Sequence, residues 1–475
     1  MDTSFDVVIV GSGASAVGVL EGLKSLWGSS RIAVLTTSMG PATERTGSRD
    51  RKFSLRGFRS HGKEKPPSTK TYFGERHYFD QHELWDTSSV HFRHSPNFTF
   101  GGLTQIWGAA AEFTPNSFTA TIDKVKLAEL EKITSDVLMP HSLGSKIEED
   151  ELSICEQFKD LAQGFADSKR WSWKPSKLAV NTNFDVNGFG SCSQCGNCLH
   201  GCPENAIWNA KTYMDVRVRR DEINVVMGYA KRFQRLPNEK MRIVYSSGDN
   251  LEQIIETRCL VLANGPLQST KMISDYVGGR DFYGSDTSLC QRIAICKPAR
   301  SRPTHNLSHV TGLSSSDDYV QLYPPNEQVW EGVLPSKITR SRGFKFISRC
   351  VVPILLYRSP REAVIFNHSQ NVFIGKRLLW WRPIRGLYAA LFRERILLLP
   401  LISRRLKAGA SFHTAGFLKE YLDPSGVAKV DDFLFVVGSS TFTQNRAGPI
   451  TADIILQGVA TGDHIAKRIL RGESR

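Results

Sequence analysis

The run MDTSFDVVIVGSGASA at the start of the chain constrains its fold more than any other stretch. An apolar, β-branched segment from Phe5 to Val10 meets Gly11, Gly13 and Ala16 in G-x-G-x-x-A spacing, and Ala14 to Leu23 reads as a helix. Strand, tight turn and helix N-terminus in that order make a dinucleotide cradle. Gly11 permits the turn, Gly13 lets the backbone approach a pyrophosphate, and Ala16 keeps the helix close to the sheet. Ser12, Ala14 and Ser15 fill out the segment that faces the phosphates. Other stretches must complete the site.

With 475 residues and 40% hydrophobic content, the chain can bury an ample core in two or three structural units. The first strand opens at residue 5 with no charged and apolar leader before it, and no run of 18 apolar residues occurs, so neither secretion nor membrane spanning is expected. Nine cysteines, four of them within eleven residues, suit a reduced thiol or metal population better than a disulfide framework, which points to the cytoplasm. The net charge is +14, and Trp330 to Lys407 hold 16 Lys and Arg against three Glu and no Asp. Basic character this local, interleaved with aromatics and leucines, suits a surface that meets an anionic ligand or the inner face of a membrane. Nucleic-acid binding is not expected, because no nucleic-acid fold accompanies the charge.

Along the chain, Arg31 to Leu35 reads as a second strand. It ends in Thr36 and Thr37, where such folds commonly place an acidic residue on the ribose, so the Thr37 hydroxyl is the candidate there. A polar, basic stretch at 41–75 is expected to form a long loop or lid. In Phe98 to Pro115, Gly101, Gly102 and Gly108 suggest backbone held against a flat ligand. Leu127 to Val137 and Glu156 to Phe165 carry helical periodicity. Ile223 to Met227 and Met241 to Tyr245 read as paired strands. Arg258 to Ala263 reads as a strand leading through Asn264, Gly265 and Pro266 into a helix from Gln268 to Tyr276. From Leu289 the pattern changes to short strands such as Tyr319 to Tyr323 and Phe344 to Val352, which suits an antiparallel sheet. Asn371 to Lys407, with Trp380 and Trp381, reads either as an interfacial helix or as a covering helix with a solvated basic face. A strand at Phe433 to Val437 and a helix from Thr451 to Leu470 close the chain.

Cys192, Cys195, Cys198 and Cys202, followed by Pro203, have C-x2-C-x2-C-x3-C-P spacing and resemble a ferredoxin cluster loop. An iron-sulfur cluster, completed by Cys202 or by a distant residue such as Cys290 or Cys296, is one reading. A zinc site and a structural thiol loop are the others.

Four stretches together resemble the glucose-methanol-choline (GMC) oxidoreductases, with the pyranose-oxidase-like branch the nearer. They are GSGASA at 11–16, FGGLTQIWG at 100–108, VLANGPLQSTKM at 261–272 and FVVGSSTFTQNRAGPIT at 435–451, in the family's order. The resemblance implies an α/β fold: a Rossmann-like FAD-binding domain, discontinuous in sequence (1–288 and 408–475), with an α+β substrate domain on a mostly antiparallel sheet (289–407). It implies FAD contacts from Leu103, Thr104, Trp107, Ala230, Gly265, Gly438, Ser439, Gly448, Pro449, Ile450 and Thr451, besides the cradle and Gly101 and Gly102. Ile106 stands where some relatives link FAD through a histidine, so the FAD is expected to be non-covalent. His413, in F-H-T-A-G, falls at the position of the catalytic base. Gly448 occupies the second catalytic position, for which Asn445 or Thr451 is the candidate replacement.

The implied activity is oxidation of a CH-OH group of a sugar or alcohol, lipid-linked or phosphorylated in view of the basic stretch, with the proton passing to His413 and a hydride to flavin N5. A cluster would give electrons a way out, favouring a dehydrogenase with an electron-carrier protein over an oxidase. The rival readings are a flavin-binding protein without turnover and a membrane-docked electron carrier.

Overall fold

The structure, a computed structural model, describes residues 4–28, 31–37, 100–105, 107–113, 119, 122–138, 154–163, 170–182, 187–196, 198, 202–247, 251–298, 305–325, 341–370, 372–377, 385–405, 413–443 and 447–472. The expected lid at 41–75, Ile106, Asn445, Trp380 and Trp381 lie outside these.

The opening apolar run forms β1 (Ser4–Val10), parallel to β2 (Ile32–Thr36). Val7 and Ile9 enter one buried cluster while Val8 and Val10 enter another. This double burial is why the strand reads as a continuous apolar run and not as an alternating one. The parallel part of the first sheet runs β4 (Asn224–Met227), β2, β1, β7 (Glu252–Leu262), β15 (Leu434–Val436). β7 forks: its residues 260–262 pair with β15, while residues 252–257 pair antiparallel with β6 (Met241–Ser246), and β6 pairs with β5 (Tyr229–Arg235). Ile223–Met227 and Met241–Tyr245 therefore do not pair with each other. The intervening β5, YAKRFQR, exposes its charged residues on a sheet edge and so hides its strand character.

The second sheet is antiparallel, in the order β13 (Leu397–Arg405), β8 (Phe282–Ile295), β11 (Val351–Asn367), β10 (Tyr319–Leu322), β9 (Val310–Ser314), β3 (Trp171–Pro175). β12 (Val372–Arg377) also pairs with β11, and β14 (Thr414–Ala415) with β8. One strand, β8, thus runs through position 288/289, and β3 and β14 join this sheet from either side of 289–407.

Two segments differ from their sequence reading. Phe344 to Ser348 belongs to a helix, α6 (Arg342–Ser348), because Ser341 caps its first turn by accepting the Phe344 N–H, 3.2 Å. Strand β11 begins only at Val351. Among its described residues, the basic stretch 371–407 is mostly β12 and β13, and α7 (Arg385–Arg393) is their short helical part, burying Leu387, Ala390 and Leu391. Pairing with β8 and β11 settles its conformation. The other helices are α1 (Ala14–Gly22), α2 (Lys124–Leu138), α3 (Lys159–Ala162), α4 (Ala210–Arg219), α5 (Pro266–Tyr276) and α8 (Thr451–Leu470). None is long and apolar enough to cross a membrane.

The crossing of α1 and α8 sets up the site. Gly18 and Gly22 face Gly458 and Gly462, and a side chain on Gly18 would run into the Ile455 carbonyl. The contacts ascend together along both helices, so α1 and α8 are parallel and their N-termini point the same way. These four small residues, spaced Gly-x3-Gly on each helix, let the backbones approach as side-chain packing cannot.

Candidate active site

Gly11 has φ +104, and a Cβ there would lie 2.6 Å from the Ala263 carbonyl oxygen, so the turn after β1 must be glycine for both conformation and space. Gly13 is different: a Cβ on it would meet nothing within 4 Å, and the same holds at Gly265, just before α5. Open space thus lies beside the α1 N-terminus and the α5 N-terminus, where backbone N–H groups and helix dipoles favour an anion.

Ser12 gathers the parts of this cradle. Its Oγ shares a hydrogen bond of 2.9 Å with Thr36 Oγ1 at the end of β2 and accepts the Gly101 N–H at 3.1 Å. Thr37 directly follows the same strand. Gly101 and Gly102 follow from this tie: a Cβ on Gly102 would stand 3.4 Å from Gly13 Cα, so the Gly-Gly segment lies directly on the cradle turn. Gly102–Gln105, including Leu103, form a single 3-10 turn. Thr104 Oγ1 donates to the Gly101 carbonyl at 2.6 Å and accepts the Ala210 N–H at 2.9 Å, fastening the turn to the start of α4. Gln105 bonds Asn209, the α4 cap, and Trp107 Nε1 donates to the Trp208 carbonyl at 2.8 Å. Ala230 lies on β5, after Gly228, whose N–H bonds the Thr36 carbonyl.

The C-terminal part closes the other side. Ser15 is buried, and a Cβ on Gly438 would lie 3.2 Å from its Oγ. The Gly438 N–H donates to Gln457 Oε1 of α8 at 2.8 Å, and Thr441 Oγ1 donates to the Gly438 carbonyl. Gly448, Pro449 and Ile450 are buried and lead into Thr451, the first residue of α8. The loop after β15 is stitched to the segment bearing the histidine: Ser439 Oγ donates to the Thr414 carbonyl at 2.7 Å, and the Gly416 N–H donates to the Ser439 carbonyl at 3.0 Å.

His413 directly precedes β14. Its ring stacks on Tyr357 with centroids 5.0 Å apart and planes at 26°. Thr414 Oγ1 donates to the buried Asp286 at 3.1 Å, which fixes the histidine's backbone against β8. The residue keeps some accessible surface, but Nδ1 is shut off from solvent, and burial pushes the imidazole down to about 4. His413 is therefore neutral at ordinary pH, the form able to accept a proton. Beyond Tyr357 the sheet face continues with Tyr319, whose ring is 6.1 Å away, and with Gln321, which accepts from the Tyr323 hydroxyl at 3.2 Å. Buried Glu112 accepts from Thr311 at 2.8 Å and pairs with Lys174 at 3.0 Å. Burial raises the Tyr319, Tyr323 and Tyr357 hydroxyls far above their usual range, so they act as neutral phenols. A Cβ on Gly108 would approach the Tyr323 hydroxyl to 3.5 Å, so the segment that starts on the cradle ends on this aromatic wall.

The structure thus gathers the cradle residues, the Gly-Gly turn, the 438–451 loop and His413 around one region. The wall of Tyr319, Gln321, Tyr323 and Tyr357 is absent from the sequence reading, which took Tyr319 to Tyr323 only as a strand. Their spacing of two puts Tyr319, Gln321 and Tyr323 on one face, the signal that marks them. The residues fit a dinucleotide such as FAD: Gly13 and Gly265 face open space, and the Gly-Gly segment packs against the cradle turn.

The described part of the cysteine loop gives the cluster reading no support. The Cys192 and Cys202 sulfurs accept the Gln194 and Ala206 N–H groups at 3.4 and 3.3 Å, and Cys192, Cys198 and Cys202 pack on Ala109, Leu178, Val180 and Leu307. Asn306 Nδ2 donates to the Gly196 carbonyl, and Asn181 Nδ2 to those of Phe189 and Gly190, so amide side chains hold the loop's shape. Burial raises the Cys192 thiol and pushes Cys198 up to about 11. Cys290 and Cys296 lie in the separate core behind the second sheet and do not complete a ligand set. Among the described residues, no group of three or more His, Cys, Asp or Glu is placed to hold a metal.

No family model and no curated protein matches this chain. Solved structures do. Pyridoxine 4-oxidase from Mesorbium loti aligns over 98% of this chain and 99% of its own, with a TM-score of 0.59 and 13% identity. A formate oxidase variant from Aspergillus oryzae RIB40, studied for its FAD modification, aligns over the whole of both chains with a TM-score of 0.60 and 10% identity. A further formate oxidase structure aligns equally completely at a TM-score of 0.57 and 10% identity. At these identities the likeness is one of fold, and from end to end the chain has the fold of the glucose-methanol-choline oxidoreductases.

Proposed function

We propose that the protein is an FAD-dependent oxidoreductase acting on the CH-OH group of a small alcohol or sugar, with His413 as the base. The observation that carries this reading is the placement of His413. A neutral imidazole, stacked on Tyr357, is tied through Thr414 and Ser439 to the loop that leads into the α8 N-terminus. Bound FAD supplies the two-electron hydride acceptor. The chain's own groups do the rest: Gly11, Gly13 and the α1 N-terminus hold the pyrophosphate, and Gly101 and Gly102 bring backbone against the flat ring system. The α8 N-terminus favours negative charge at its end of the site. His413 takes the hydroxyl proton, while the Tyr319–Tyr323–Tyr357 wall orients a ring-shaped or polyhydroxylated substrate and excludes water. Thr451 is the described candidate for the second catalytic position. The preference for a dehydrogenase rested on a metal cluster, and the thiol loop lends it no support. The exposed cations Lys297, Arg393 and Arg395 stand where the end of β8 meets the start of β13, away from Asp286, where β14 pairs, so a phosphorylated substrate gains no support from them.

The test is anaerobic reduction of the purified holoprotein by a panel of alcohols and sugars, comparing the parent with His413→Gln. A substrate should bleach the flavin absorbance, with the parent's rate falling off only below about pH 4. His413→Gln should keep its flavin and lose roughly 10²- to 10⁴-fold in the rate of bleaching. Equal rates in parent and variant would remove His413 from the chemistry, and flavin that no alcohol or sugar reduces would favour a binding protein without turnover. Re-oxidation by oxygen then separates oxidase from dehydrogenase.

A further inference from the structure

Of the eleven large apolar side chains left exposed among the described residues, five lie on segments that converge at one end of the second sheet: Ile295 (40% exposed), Phe346 (63%), Ile347 (55%), Phe392 (68%) and Leu397 (51%). The other six are scattered singly over different elements, as on any soluble surface. The five are joined by the fold. Leu397 and Val351 stand directly opposite Ile295 on the two neighbouring strands, so the three share one face, while Ala294, Val352 and Leu398, one register step away, are buried on the other. Phe346 and Ile347 lie in the last turn of α6, which leads into β11, and their carbonyls accept the Arg349 and Cys350 N–H groups at 3.2 and 2.9 Å. Phe392 lies at the end of α7, which leads into β13, its carbonyl accepting the Arg395 N–H at 3.0 Å.

Cations ring these apolar tips. Lys297, Arg342, Lys345, Arg349, Arg393 and Arg395 are all exposed and lie within four residues of a patch member. Among the described residues none of the six makes an ion pair, and Glu394 is the only carboxylate in 295–298, 341–351 and 392–397. We propose that this end of the second sheet docks on a bilayer bearing anionic lipid, with Phe346, Ile347 and Phe392 entering the acyl boundary and the Lys and Arg rim at headgroup level. Projecting apolar tips surrounded by unpaired cations fit a lipid surface, where long basic side chains lay their stems along the apolar boundary. A docking site for a protein would instead be depleted of Lys at its centre. Along β8 the patch is about eight residues from the position opposite His413, or roughly 27 Å at the usual rise per residue, so docking leaves the candidate active site uncovered. The proposal is independent of the catalytic reading.

Sedimentation of the full-length holoprotein with vesicles tests it, comparing phosphatidylcholine alone with the same lipid plus about 30 mol% phosphatidylserine. Binding should favour the anionic vesicles by about tenfold or more and weaken as salt rises from about 0.05 to about 0.5 M. The combined change Phe346→Ser, Ile347→Ser and Phe392→Ser should lower binding by about tenfold or more. Replacing Arg342, Lys345 and Arg349 by Gln should remove most of the salt-sensitive part, at roughly fivefold per cation. Unchanged flavin content and circular dichroism establish that the variants are folded. Equal binding to both vesicle types, or equal binding by parent and variants, would overturn the proposal.

Discussion

The cradle side of the site is built of backbone, whereas the facing wall is built of side chains. Around β1, α1 and α8, glycine is used where main chains must touch: Gly11 against Ala263, Gly102 against Gly13, Gly18 against Gly458. On the second sheet, the groups facing the candidate site are His413, just before β14, and Tyr357, Tyr319 and Gln321 on β11 and β10, brought together by strand register. A backbone site tolerates no added atoms and is indifferent to pH. A side-chain site tolerates small changes in volume, but its buried imidazoles answer to protons.

Adding volume at the helix crossing gives the largest expected difference between the two sides. Gly18→Leu drives a side chain into the Ile455 carbonyl and should cost about 3 kcal/mol or more, with loss of bound flavin. On the other side, Gly343→Ala, in α6, meets open space and should be neutral or stabilise by up to about 1 kcal/mol. Denaturant midpoints and flavin content measure both, and comparable losses would erase the contrast.

Acid should strike the side-chain half next. His309 is buried, accepts the Cys155 N–H at Nδ1 (3.0 Å) and bonds the His305 carbonyl through Nε2 (3.1 Å), and burial pushes it down to about 4, as it does His413. Both are neutral when folded and titrate near 6.5 when unfolded, so the unfolded chain binds more protons between those values. Stability is then fully present above about pH 6.5 and falls as pH drops toward 4, by up to about 3 kcal/mol per histidine. His309→Gln keeps an acceptor for the Cys155 N–H, and the difference between parent and variant stability should shrink between pH 7 and pH 4.5. A parent and variant with parallel pH dependence would refute it.

The smallest effect tests the one side chain on which the cradle depends. Ser12→Ala removes the bond to Thr36 and leaves the buried Gly101 N–H without its acceptor, which should cost about 1–3 kcal/mol. Flavin should dissociate more readily while the substrate preference of the remaining holoprotein stays the same. A shifted substrate preference would mean that the cradle and the wall are not separable.

Legibility in the sequence follows the same division. The β1–α1 turn, the strand and helix at 258–276 and the helix from Thr451 to Leu470 are found where their residues place them, because each is a local pattern of glycine, apolar run and period. The glycines of the α1–α8 crossing passed unnoticed although both pairs are spaced Gly-x3-Gly, since only contact between distant helices gives that spacing a meaning. In the second sheet, Phe344–Ser348 reads as strand and folds as helix, and among the described residues of 371–407, read as an interfacial or covering helix, only 385–393 is helical. There the short β-branched and leucine-rich segments suit either state, and pairing with β8 decides. The cysteine spacing suggests a cluster, but the asparagine anchors that shape the loop come from 181 and 306, far from it in the chain.

The sequence by itself determined the strand–turn–helix of the cradle and the helices at 266–276 and 451–470, because each depends on residues adjacent in the chain. Only the tertiary structure decided what faces His413, how Cys192, Cys198 and Cys202 pack, and that exposed Phe346, Ile347 and Phe392 precede the strand ends next to Ile295. These depend on strand register and on side-chain burial, and neither is set by neighbours in sequence.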